Sequence, residues 1–343
     1  MGITAKELAK LTNLSAAAVS MALRNKPGVS EETRKMVHDV AVQHGYDFSR
    51  VLKSQLQQPY RNITFVLYKR QGAVVGDTPF FSALTDGIES ACAESDFRLH
   101  ILSVHRDDDV QKKVAELNYS DCVGVVLLGT EMQPEDFRPF SNLSIPMVLL
   151  DVYFDSVEYD CILINNSQGA VLATNHLISR TKKQLGYLRS SYHIENFDER
   201  ADGFYKAVRK HGMSVSKSIV HRLTPSIEGA YADMTELLKR GEELAACYFA
   251  DNDLIAIGAM KAFQNKGIRI PDDISIVGFD DLPMAAYLEP SLTTIHVPKK
   301  YIGEMAVKRL IELMNHTNRT PVKIEVSTNL VKRRSVYKPT DQA

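Results

Sequence analysis

From Asn62 onward the chain changes its rhythm, and that change constrains the fold more than any other feature. Short aliphatic and β-branched runs alternate with stretches of helical periodicity. ITFVLY, RLHILSV, VGVVLLG and PMVLLD form one set; LGYLRS, SIVHRL, ACYFA and ISIVGF form a second. Runs this apolar are strands buried on both faces, and strands alternating with helices build parallel sheets with helices on either side. Helices are predicted at 78–93 and 107–117 in the first set, where Pro79 suits a first helical position. In the second set they are predicted near 167–179, 199–211, 228–239 and 252–265. Two sets make two α/β lobes, each a parallel doubly wound sheet.

In such sheets ligands bind beyond the carboxyl ends of the strands, in a cleft. Asp151 ends PMVLLD, Arg189 and Ser190 end LGYLRS, Asp251, Asn252 and Asp253 follow ACYFA, and Asp280 and Asp281 follow ISIVGF. Arg200 lies in the first turn of the helix after SYHIENF, and Phe80, Phe81 and Phe197 offer apolar faces. Carboxylates, an amide and a guanidinium beside aromatic rings suit a hydroxyl-rich or anionic small molecule. Plainer roles compete. Asp253 suits a helix cap or an ion pair, Asp281 a turn, and His193 a loop. The chain has no Trp, so stacking on a sugar ring would fall to Phe81, Phe197, Tyr153 or Tyr192.

Before Asn62 the pattern is three short helices. Thr4-Ala5-Lys6-Glu7 reads as a capping box, followed by an apolar face of Leu8 and Leu11. Ser15 caps a second helix, to about Leu23, whose inward face is Val19 and Leu23. Pro27-Gly28 breaks the chain. Ser30 caps a third helix, with Glu31 and Glu32 at its positive end, Val37, Val40 and Ala41 facing the core and Gly45 ending it. This is a helix-turn-helix arrangement. Small side chains at Ala16, Ala17 and Ala18 let the second helix approach base edges in a major groove. The amides at the Ser15 cap suit a phosphate, and Arg24, Asn25 and Lys26 suit the DNA backbone. A plain three-helix bundle explains the alanines by helix propensity alone. Charge favours the first reading: residues 1–61 hold nine Lys and Arg against five Asp and Glu, within a chain of net charge −1.

The stretch TAKELAKLTNLSAAAVSMALRNKPGVSEETRKMVHDVAVQHGY resembles the N-terminal domain of the lactose/galactose repressor family of bacterial transcription regulators. The matches are Leu14-Ser15, Ala17, Val19-Ser20, Leu23, Val29-Ser30, Glu32-Thr33-Arg34, Val37 and Gly45-Tyr46. The resemblance implies a DNA-facing set of Thr4, Ser15, Ala16, Ala17, Ser20, Met21, Arg24, Asn25 and Lys26. The family usually carries polar residues at the positions of Ala16, Ala17 and Met21, often an Arg at the last. With all three apolar, contacts to thymine methyls and DNA shape take over base reading. Residues 47–61 correspond to the family's hinge helix, which enters the minor groove from each subunit of a dimer. Arg50 and Lys53 would meet phosphates. Gln55 stands at the intercalating position and Leu56 one place later, so either is a candidate for the wedge; Phe48 replaces the usual proline.

The resemblance continues through NDLIAIGAM, VGFDD, the Arg of ERADGF and EPSLTTIHVP. It implies a periplasmic-binding-protein-like body over 62–339, with an N-lobe of 62–161 plus 293–321 and a C-lobe of 162–292 plus 322–339. Domain 1–46 precedes it, with linker 47–61 between and tail 340–343 after. The implied effector residues are Phe80, Phe81, Asp151, Arg200, Asn252 and Asp280. The implied partners are a pseudo-palindromic double-stranded DNA operator, a second copy of the chain and a sugar-like effector.

Other classes find less support. No P-loop, G-x-G-x-x-G after a strand, H-E-x-x-H or G-x-S-x-G occurs, so neither an enzyme nor a cofactor is expected, although the cleft carboxylates offer acid–base groups. A solute-binding protein would share the body and lack the helical head. An architectural DNA-binding protein would not need the cleft. Cys92, Cys122, Cys161 and Cys247 read as reduced core thiols without metal spacing. No apolar run approaches the roughly 18 residues of a membrane span, and MGITAKELAK lacks secretory features. The expected location is the bacterial cytoplasm, at the nucleoid.

Overall fold

The computed structural model describes residues 3–23, 29–44, 46, 61–72, 74–76, 78–181, 183–315 and 320–338. The chain divides into two compact units, Met1–Tyr60 and Arg61–Ala343.

In the first unit, helices Ala5–Leu11, Ala16–Leu23 and Glu31–Gln43 follow the expected order. The Thr4 capping box forms, with the Thr4 amide donating to Glu7 Oε2 at 2.8 Å and the Glu7 amide to Thr4 Oγ1 at 3.4 Å. Ser15 Oγ accepts the Ala18 amide at 3.1 Å, and Ser30 Oγ accepts the Thr33 amide at 3.2 Å. Leu8, Ala9, Val19, Ala22, Leu23, Val37 and Ala41 form the core. Leu11 does not join it: it is 54% exposed, and Ala9, on the other flank of Leu8, is buried instead.

The body contains two parallel sheets. In the first, strands β1 (Asn62–Lys69), β2 (Arg98–His105), β3 (Cys122–Leu128), β4 (Met147–Leu150) and β5 (Cys161–Ile164) stand in the order β5-β4-β3-β1-β2. The second comprises β6 (Gly186–Ser190), β7 (Ile219–Leu223), β8 (Cys247–Ala250) and β9 (Ser275–Val277), in the order β7-β6-β8-β9. Strand β10 (Thr294–His296) pairs antiparallel with β12 (Asn329–Val331), while β11 (Lys323–Val326) lies parallel to β5 at the edge of the first sheet.

Strands β5 and β11 correct the expected lobe bounds. Both belong to the first sheet, so that lobe runs past 161 and past 321. The ladder's last bond, Asn165 amide to Val326 carbonyl at 2.9 Å, marks where both segments leave the sheet. The chain crosses between lobes there and again through 278–296, where the Asp280 amide meets the Ile295 carbonyl at 2.9 Å. Helix Lys299–Asn315 then packs on Pro79–Glu94. The two approach so closely that a Cβ on Gly87 would lie 2.0 Å from the Lys300 carbonyl oxygen, and one on Gly303 2.3 Å from that of Leu84. One continuous core spans both lobes, from Phe65 and Ile88 to Phe204 and Phe249. All four cysteines are buried and unpaired.

Candidate functional site

The carboxyl ends of β3, β4, β8 and β9 converge on one cavity between the lobes. The first lobe contributes Val74, Thr78, Phe80, Phe81, Thr130 and Asp151; the second contributes Ile194, Asn196, Phe197, Arg200, Pro225, Asn252, Leu254, Asp280 and Leu282. Its volume is about 40 Å3, room for a few waters. A neighbouring cavity of about 280 Å3 is lined by Arg70, Gln71, Glu131, Gln133, Glu135, Tyr192 and His193 and shares Ile194 with the first.

Two carboxylates line the inner cavity, one from each lobe. Asp151 follows β4 at φ 61° and is 5% exposed. Thr130 donates its hydroxyl to Asp151 Oδ2 at 2.6 Å, whereas Oδ1 is buried without a hydrogen-bond partner. Burial raises the Asp151 carboxyl to about 6, although the Thr130 bond, Arg200 and Asn196 favour its charge. Asp280, beyond β9, has φ 110°, a backbone region unfavourable for any side chain other than glycine. Its Oδ1 is likewise buried and lacks a hydrogen bond, with Arg200 Nη2 at 3.5 Å. Burial raises this carboxyl too, against the pull of Arg200 and Lys299.

Arg200 is already engaged on most sides. Its Nε donates to Asn166 Oδ1 at 2.9 Å and its Nη1 to the Asp251 carbonyl. The guanidinium lies 3.8 Å from the centre of the Phe279 ring and 5.5 Å from that of Phe197. The helix carrying it begins at Glu195, earlier than expected, so Arg200 stands in the second turn. Asn252 caps helix Asp253–Asn265, its Oδ1 accepting the Ile255 amide at 2.9 Å, which leaves Nδ2 as its side-chain donor. Phe80 and Phe81 pack edge to face with centroids 5.0 Å apart.

All six effector positions named from the sequence therefore line one cavity. The other strand-end polar residues do structural work. Asp251 accepts from the Tyr187 hydroxyl and the Ser190 amide. Asp253 accepts the Leu282 amide at 2.8 Å and the Thr294 hydroxyl, and burial beside the Asp280 charge pushes its carboxyl to about 8. Asp281 accepts from His296 Nδ1 at 2.8 Å and from Arg333 at 2.6 Å; these bonds outweigh burial and hold its carboxyl below the usual range. Arg189 pairs with Asp198, which also bonds His193. Thr130 and Asn196 were not anticipated. Thr130 could have been found, since it follows VGVVLLG at a strand's carboxyl end; Asn196 carried no comparable signal.

In the helical unit, Ser15, Ala16 and Ala17 are exposed and Ser20 and Met21 half-buried, opposite the buried Val19, Ala22 and Leu23. The Thr4 hydroxyl is occupied by Glu7 at 2.8 Å. Arg24, Asn25, Lys26, Arg50, Lys53, Gln55 and Leu56 lie outside the described residues.

Residues 4–48 match the family described as bacterial regulatory proteins, lacI family. Along its length the chain is 30% identical to the HTH-type transcriptional regulator GalR of Escherichia coli (strain K12), covering 99% of this chain and 97% of that one. The chain belongs to the lacI family of bacterial regulatory proteins. This lacI-family regulator is also 28% identical to the HTH-type transcriptional repressor PurR of Aliivibrio salmonicida (strain LFI1238), over 98% of this chain and 99% of that one. Its residues 174–336 match the periplasmic binding protein-like domain. Its fold matches a solved structure of the transcriptional regulator CelR with cellobiose at a TM-score of 0.72 and 22% identity, covering 97% of this chain and 99% of that one. This lacI-family protein is a DNA-binding transcription regulator and not an enzyme. Among the described residues no helix is long and apolar enough to cross a membrane.

Proposed function

We propose that the protein is a repressor whose operator affinity is set by an uncharged, hydroxyl-rich effector, such as a sugar, held between Asp151 and Asp280. One observation carries this reading: a buried acceptor oxygen on each side of the cavity has no hydrogen-bond partner. A buried acceptor left unmatched costs about 1–3 kcal/mol, and a ligand with two hydroxyl donors satisfies both while tying one lobe to the other. Arg200 and Asn252 orient it, and Phe80 and Phe81 cover its apolar face. With the Arg200 guanidinium already bonded and two carboxylates in place, a phosphate or carboxylate on the ligand meets like charge.

The operator-binding unit is a homodimer in the bacterial cytoplasm, acting at the nucleoid on a pseudo-palindromic site. Each second helix enters a major groove. Ser15 and Ser20 anchor it and Ala16, Ala17 and Met21 contact thymine methyls. Thr4, Arg24, Asn25 and Lys26, and Arg50, Lys53 and Gln55 or Leu56 of the linker, complete the interface. The effector shifts operator affinity through its different affinity for two arrangements of the lobes.

Calorimetry on the full chain with D-ribose, D-galactose and cellobiose, and with their phosphorylated or carboxylated counterparts, tests the effector class. At least one neutral sugar is expected to bind at least tenfold more tightly than its anionic counterpart. Equal or tighter binding of the anion would overturn the assignment.

A further inference from the structure

A single carboxylate shapes the first-lobe wall of the cleft without touching the cavity that holds Asp151. Glu131 is 6% exposed. Its Oε2 accepts the amides of Arg70, Gln71 and Gly72 at 2.9, 2.9 and 2.8 Å, and its Oε1 those of Val74 and Val75 at 2.7 and 2.9 Å. Successive amides converging on one anion form a nest. Gly72 makes the turn at φ 67°. Burial works against the Glu131 charge, but the amide bonds outweigh it and hold the carboxyl below its usual range. The segment so held ends in the apolar wall of the inner cavity: Val74 lines it, and Thr78, Phe80 and Phe81 follow. The residue before Glu131 is Thr130, which orients Asp151. One short turn after β3 thus fixes both the apolar wall and one of the two unmatched acceptors.

We propose that Glu131 is a positioning residue for effector binding: its carboxylate stands in for an anion in a backbone nest and thereby sets the wall formed by Val74 and Phe80. This rests on the reading of the cleft as the effector site. Removing the side chain leaves five amide donors around a space beside the 280 Å3 neighbouring cavity, which Glu131 itself lines. A small carboxylate from solution can enter there.

The test is chemical rescue in the full chain. Glu131→Ala is expected to weaken binding of the tightest neutral sugar about tenfold. Sodium acetate at about 100 mM should restore most of that loss in the variant and do nothing for the wild type. Hydrogen exchange at Gln71, Gly72, Val74 and Val75 should quicken in the variant and slow again with acetate. If Glu131→Ala does not fold, Glu131→Gln keeps the volume while setting an amide group against the donors; it should show the same weaker binding and faster exchange. Faster exchange with unchanged sugar affinity would overturn the positioning role. Unchanged exchange would overturn the clamp itself. The exchange arm needs no sugar, so a wild type that bound none would count against the effector class and leave the clamp to be judged on exchange.

Discussion

The second helix of the head and the wall of the cleft break the usual rule of burial in opposite senses. The helix exposes Ala16 and Ala17, while the cleft buries Asp151 and Asp280 with acceptor oxygens unmatched. Each departure has the character of its proposed partner. DNA meets a surface by close approach, which small side chains permit, and its phosphates take their contacts from caps and cations. A polyol brings donors, which a buried carboxylate oxygen without a hydrogen-bond partner can accept. The lesson is that a surface too smooth and an interior too polar both point to something missing from the lone chain. The supporting residues differ as well. Around the cleft they form dense networks, from Thr130 and Asp151 to Asp253 and Thr294. Among its described residues the head relies on a core of seven buried apolar residues and three caps.

Four experiments separate the two regions. The largest effect is expected at the cleft. Asp280→Ala removes one unmatched acceptor and should weaken neutral-sugar binding by about 10- to 150-fold, the equivalent of a charged hydrogen bond of roughly 1.5–3 kcal/mol. Operator binding without sugar, measured by anisotropy, should stay within about twofold. A variant that still responds at wild-type sugar concentrations places the site elsewhere. Next comes the head core: Leu8→Ala should cost about 2–5 kcal/mol there. So small a unit lacks reserve to absorb that loss. Operator binding and amide protection in residues 5–43 should collapse while sugar binding persists. Loss of both together would show that head and body fold as one.

The third concerns pH. Asp253 is raised to about 8 and Asp151 to about 6, both by burial, from an ordinary value of 3.8. The folded body therefore holds protons that the unfolded chain has released. The stability these groups contribute is full below about pH 4 and is lost as pH rises through about 6 for Asp151 and about 8 for Asp253. Body melting temperature should fall from pH 6 to pH 8, and Asp253→Asn should flatten that fall. A slope unchanged in the variant removes Asp253 from the explanation. The smallest effect is Ser15→Ala, which deletes a helix cap and should cost the head about 0.5–2 kcal/mol. Its operator affinity should drop further than that stability loss explains if the cap also meets a phosphate.

Much of this was readable from the chain. Helices came out within a few residues because caps at Thr4, Ser15 and Ser30 act locally, and all eight strand runs formed strands, although RLHILSV and SIVHRL lie at sheet edges and are exposed along much of their length rather than buried on both faces. Strands β5, β10, β11 and β12 escaped because they owe their place to pairing with distant segments, β11 with β5 and β10 with β12. The rule that ligands lie at carboxyl strand ends picked out Asp151, Asn252 and Asp280. That rule could not separate Asp280, which lines the cavity, from Asp281 and Asp253, which turn to Arg333 and Leu282. Neighbours in sequence take opposite directions at positive φ, a matter of backbone geometry. The Glu131 nest was invisible for the same reason: its partners are amides, which every residue but proline has.

Control of the head by the cleft is what the proposed function requires. The direct measurement is operator affinity of the full chain with and without its tightest-binding neutral sugar, for wild type and Asp280→Ala. At a sugar concentration that just saturates the wild type, a shift of about 5- to 150-fold is expected in the wild type and a much smaller one in the variant. An operator affinity indifferent to a sugar that saturates the cleft would contradict that control.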